Sequence, residues 1–159
     1  MTTVMFVSNY IIDRLHQEGK DVNNIRLQKI LYYAQGYNLK VFGRRLFLND
    51  VVQWQYGPSV PSAWFEYSVY GSSPIQVPSQ NERPSGVTRV ELELAMEVAR
   101  ACLDYGIGEL IEKSKSEPPV QGLELRERVT VKAMKRYFAT NDPLWLDTKI
   151  DHLLNPLWT

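Results

Sequence analysis

Residues 27 to 71 read LQKILYYAQGYNLKVFGRRLFLNDVVQWQYGPSVPSAWFEYSVYG, and this stretch decides the fold. Helical spacing puts Leu27, Ile30, Leu31, Ala34 and Val41 on one face. Asn23 or Asn24 is a suitable N-cap, and Gly43 is a natural stop. Residues 46 to 54 change character: two short β-prone runs flank Asn49-Asp50, which predicts a small hairpin or bent ribbon. Gly57-Pro58 marks a turn, and Pro61 suits the first turn of a short helix that ends at Gly71.

Outward from there the chain is helical on both sides. Val4, Val7, Ile11, Ile12 and Leu15 repeat at helical spacing ahead of Gly19. Residues 72 to 87 hold Pro74, Pro78, Pro84 and Gly86 and read as a loop. Thr88 and Glu91 form a capping-box pattern in front of a helix carrying Val90, Leu94, Val98, Ala101 and Cys102. A short helix is expected near 108–113, broken by Glu117-Pro118-Pro119, and Thr130 is expected to cap another through Met134, Tyr137 and Phe138. Fold class is therefore mainly α, a compact multi-helix single domain with one small β-ribbon near 46–54. We place the domain at 1–141, with an apolar C-terminal extension at 142–159. In that tail Leu146, Ile150, Leu153 and Leu154 form a helical stripe with Trp145 and Trp158 nearby. The tail either covers the core or docks a toxin or a second copy of the chain.

Composition narrows the function. At 159 residues the chain is long enough for a self-sufficient core, and its 18 basic residues balance 18 acidic ones. That balance excludes a polybasic protein held by bulk phosphate neutralisation. The N-terminal stretch is too interrupted by Asp13 and Arg14 for a leader or a membrane span, so a soluble, cytoplasmic protein is expected. Two histidines, His16 and His152, and the single Cys102 are too few for a closed His/Cys metal site, and no cofactor is expected. Cys102 lies on an apolar helix face and reads as a buried structural thiol; His16 reads as a helix C-cap. No nucleophile elbow, phosphate loop or dinucleotide fingerprint is present. Glu109, Glu112 and Glu117 alternate with Lys113 and Lys115 and read as a mixed surface rather than an acid–base pair.

The same stretch carries the motifs of a family. LQKILYYAQG at Leu27 to Gly36, a G-x-x-L-F segment at Gly43 to Phe47, W-x-Y-G-P-x-V-P at Trp54 to Pro61, and an aromatic helix from Trp64 to Tyr70 occur in that order. Together they resemble the Panacea domain, the SocA-like antitoxin family whose members are also labelled phage-associated or GepA-like. The likeness extends to about Phe138. Its second-half element, [ST]-H-x-x-x-P-aromatic, is altered here, with Lys115 where His is common and Val120 where an aromatic is common. The resemblance implies a toxin–antitoxin role, by direct binding of a cognate toxin. One branch instead implies an adaptor that delivers the toxin to a cytosolic protease. A third reading, an enzyme acting on a small molecule or nucleotide, lacks a polar cluster in the sequence to support it.

Aromatic density points to the binding surface. Residues 32 to 70 hold 11 of the 18 aromatics. Tyr and Trp give large contact area at low rotamer-entropy cost. The candidate partner-binding residues are Tyr32, Tyr33, Gln35, Trp54, Tyr56, Pro58, Pro61 and Trp64. Tyr32, Tyr33 and Gln35 spread around one helix and are hard to bury together, and Gly36 would let another backbone approach. Between Asp21 and Asp50 the only charges are Arg26, Lys29, Lys40, Arg44 and Arg45. A solvated face is the expected reading; an acidic partner is the next, and nucleic acid the least favoured.

Overall fold

The structure is a computed structural model that describes residues 2–78 and 86–156. Pro84 of the expected loop and Trp158 of the tail lie outside the described residues. Helix α1 (Thr3–Gln17) is followed by α2 (Asn24–Phe42). The Asn23 side chain accepts from the Arg26 amide at 3.0 Å and starts α2; Gly43, at φ +71°, ends it. Two strands come next, β1 (Val51–Trp54) and β2 (Gly57–Ser59), then α3 (Pro61–Tyr67) with a 3₁₀ turn at Ser68–Tyr70. After the loop, Thr88 and Glu91 close the capping box of α4 (Arg89–Leu103). Helix α5 (Ile107–Ser116), strand β3 (Arg128–Val129), Thr130-capped α6 (Val131–Thr140) and α7 (Asp147–Leu154) complete the described chain.

Helix α2 is the axis of the molecule. Every residue from Leu27 to Leu39 is buried, and α4, α5, α6, α3 and β2 all pack against it. A helix enclosed on all sides has no solvated face, so its polar residues must find partners inside the protein. Helices α1 and α7 lie on α4 and enclose the far side. The mainly α class with one small antiparallel sheet is what the hydrophobic spacing implies.

Within that class several details differ from the sequence reading. The hairpin turns at Gln55-Tyr56, not at Asn49-Asp50, with Val52 opposite Ser59 and Trp54 opposite Gly57. Residues 46 and 47 form no strand because Gln35 takes their backbone: its Nε2 donates to the Phe47 carbonyl at 2.8 Å, and its Oε1 accepts from Leu46 N at 2.7 Å. The third strand, β3, pairs with the other edge of β1, and nothing in its two residues announces it. Gly36 admits a ring rather than a backbone: a Cβ there would sit 2.2 Å from Phe138 Cε2. In the tail, Leu144, Leu146 and Ile150 are buried, and the Leu144 amide donates to the Tyr37 hydroxyl at 2.9 Å. Trp145 is 80% exposed.

Candidate partner-binding groove

The site is built by three elements around the N-terminal half of α2. Gln28 and Asn24 form a relay. Gln28 Oε1 accepts from Val60 N at 2.8 Å, Gln28 Nε2 donates to Asn24 Oδ1 at 3.0 Å, and Asn24 Nδ2 donates to the Trp64 carbonyl at 2.9 Å. One turn of α2 thereby fixes the start of α3. Next to it the Lys29 ammonium donates to the Pro58 carbonyl at 2.7 Å and to Ser59 Oγ at 3.3 Å, which fixes β2. Gly57, at φ +92°, closes the hairpin where a Cβ would lie 3.0 Å from Ser114 Oγ.

These ties position an aromatic cluster. Trp54 on β1 meets Trp64 and Phe65 on α3 edge to face, each with ring centroids 6.1 Å apart. Tyr56 at the hairpin turn is exposed, as are Phe65 (67%) and Leu125 (67%). Trp54, Tyr56, Trp64, Leu125 and Arg126 surround a groove of about 290 Å³ whose floor includes Gln28, Lys29 and Ser59. Arg126 holds a left-handed φ of +73°, a conformation that favours glycine and costs about 1 kcal/mol or more for other residues.

Of the expected binding residues, Trp54, Tyr56 and Trp64 come together at this groove. Pro58 is buried in β2, and Pro61 is half-buried at the first turn of α3. Tyr32, Tyr33 and Gln35 were expected to be hard to bury together, yet each is at most 1% exposed. Their polar atoms are satisfied internally. Gln35 holds residues 46 and 47, and the two tyrosine hydroxyls donate to Glu117, Tyr32 at 3.2 Å and Tyr33 at 3.0 Å. They offer a partner no surface.

Two buried ionisable groups escaped the sequence reading. Glu117 is not part of a mixed surface like Glu109 and Glu112; it is 5% exposed, under the tyrosines, with Lys113 Nζ 3.6 Å away. Burial pushes its carboxyl up to about 7, although the Tyr33 hydroxyl, Lys113 and the Tyr32 hydroxyl all favour the carboxylate. Lys29 is fully buried with no acidic partner among the described residues; burial first, and neighbouring Lys115 second, pull it down to about 7. The signal for both was available in part, because Lys29 is the lone charge between Leu27 and Leu39. The basic run is a solvated face only at its end, where Arg44 and Arg45 are exposed. Arg26 caps α4 through the Cys102 and Tyr105 carbonyls, both at 2.8 Å, Lys40 reaches Asn141 and Asp147, and Arg44 pairs with buried Glu91. Burial raises Glu91's carboxyl, but Arg44, Asn38 and Thr88 donate to it and hold it at about 2. Cys102 is fully buried, and burial pushes its thiol up. His16 is exposed, 3.6 Å from Asp21. Among the described residues no helix is long and apolar enough to cross a membrane, and no three His, Cys, Asp or Glu side chains converge as metal ligands.

The fold is a small, mainly helical domain whose central helix braces a hairpin and a partly exposed aromatic cluster. The family model described as antitoxin SocA-like, Panacea domain, matches residues 27–119, more than half of the chain, and the chain belongs to that family. The matched segment runs from α2 through α5 to Pro119; it holds Lys29, Trp54, Tyr56 and Trp64 and leaves Leu125 and Arg126 beyond its end. No curated protein and no solved structure matches the chain.

Proposed function

We propose that this protein is a cytoplasmic antitoxin that neutralises a toxin by direct contact through the Trp54–Trp64 groove. The observation that carries this reading is the exposed aromatic cluster itself. Trp54, Tyr56, Trp64 and Phe65 are held from beneath by the Asn24–Gln28 relay and by Lys29, and they serve no part of the core. Rigid, pre-positioned aromatics of this kind are what binding hot spots use. Occlusion of the toxin's working surface needs no turnover.

The test is co-expression with the protein encoded next to it, read by growth and by a tagged pull-down. Rescue by the wild type and loss of both rescue and co-purification in W54A/W64A, with an unchanged circular dichroism spectrum, is expected. A fall of at least 10-fold in plating efficiency is the expected readout. Full rescue by the double variant contradicts the reading. Rescue that disappears in protease-deficient cells, with the toxin then persisting, transfers the protein to the adaptor class.

A further inference from the structure

The floor of the groove says more about its occupant than the aromatic rim does. Lys29 and Arg126 are the charged residues lining it, and no Asp or Glu lines it. Lys29 donates to Pro58 O and Ser59 Oγ, both neutral, and lies wholly beneath the surface of the groove. The Arg126 guanidinium at the mouth has no acidic or hydrogen-bonding partner among the described residues. Lys115 adds a third positive charge behind Gly57. The acids nearest in sequence belong to the loop of Arg126 and are turned elsewhere: Glu127 accepts from the Glu124 amide at 3.1 Å, and Glu124 is exposed. A guanidinium without a counter-ion at the mouth, beside Trp54, Trp64 and Leu125, is complementary to a negative charge carried between apolar groups.

Resting on the reading that this groove engages a toxin, we infer that it receives an Asp or Glu side chain of the partner, flanked by apolar residues, with the carboxylate paired to the exposed Arg126 guanidinium at the mouth and Lys29 buried beneath. Size supports a side chain over a cofactor or nucleotide. At about 290 Å³ the groove falls at the lower edge of the range of about 300–1,000 Å³ typical of ligand pockets.

The probe is a set of nine-residue peptides, N-acetylated and C-amidated, with a central Glu, Gln or Lys between randomised Leu, Phe, Trp and Ser positions. Binding to the full chain is read by fluorescence polarisation. Glu peptides are expected to bind at least 10-fold more tightly than their Gln counterparts, and Lys peptides not at all. W64A and R126Q are expected to abolish the preference. Equal binding of Glu and Gln peptides by the wild type overturns the inference, as does no binding of either; neither outcome depends on a variant that folds. Control Gln peptides made with a free C-terminal carboxylate that bind as tightly as the amidated Glu peptides overturn it in favour of a chain terminus. If neutralisation requires Trp54 and Trp64 while Glu and Gln peptides bind alike, this inference alone fails. If Glu is preferred while neutralisation ignores those tryptophans, the functional reading alone fails.

Discussion

Glu117 and Lys29 are charged residues placed where water does not reach, and each leaves a mark on stability. The Glu117 carboxyl has an ordinary value of 4.5 and lies at about 7 in the folded chain. The folded state therefore binds a proton more readily than the unfolded state. Its contribution to stability is present below about 4.5 and is lost as pH rises through about 7. Lys29 runs the other way: lowered from 10.5 to about 7, it contributes above 10.5 and loses that contribution as pH falls through 7. Glu117→Gln removes the first effect while leaving Lys29 unchanged; the amide oxygen still accepts from one of the two tyrosines and the amide NH2 donates to the other's hydroxyl oxygen. Relative to the wild type, E117Q is expected to gain on the order of 2 kcal/mol of stability between pH 5 and pH 8. Urea denaturation at the two values measures this. A wild-type-to-variant difference that does not move with pH would show that Glu117 is not held protonated.

At the scale of elements, what was legible was whatever depends on neighbours in sequence. Asn23, Gly43, Thr88 with Glu91, and Thr130 bound their helices because capping satisfies backbone groups within a few residues. What was hidden depends on partners far along the chain. Tyr32 and Tyr33 bury their hydroxyls against Glu117, 85 and 84 residues on, and strand pairing at 46–47 is pre-empted by a side-chain amide, Gln35. The aromatic rim was found by composition; its floor was not, because a single Lys in an apolar run gives no hint of which strand it will hold. The tail is an element whose role the packing decides. Leu144, Leu146 and Ile150 are each no more than 6% exposed, and burial of such side chains stabilises by about 1.5–3 kcal/mol apiece. Deleting residues 142–159 is expected to destabilise the domain by about 4 kcal/mol or more, seen as a large fall in melting temperature by circular dichroism. A truncated chain that melts like the wild type would make the tail a separable docking segment.

The whole molecule divides its labour around α2. The C-terminal half of this helix, from Tyr32 onward, is used for stability: Gly36 admits Phe138, whose ring meets Tyr32, Tyr33 and Tyr37 at 5.3–6.3 Å between centroids. The N-terminal half, from Asn24 to Lys29, is used to hold the hairpin and α3 in place. This division explains why one motif, LQKILYYAQG, contains both kinds of residue. Membership in an antitoxin family sets the general class of partner, a toxin; the groove supplies the surface on which we place it. Hydrogen exchange of the protein alone and in complex with the toxin it neutralises tests that placement most directly. Slowed exchange across residues 54–64 and 124–127, with little change over α6 and α7, is the result this account expects. Protection confined to another face, with residues 54–64 exchanging as in the free protein, would contradict it.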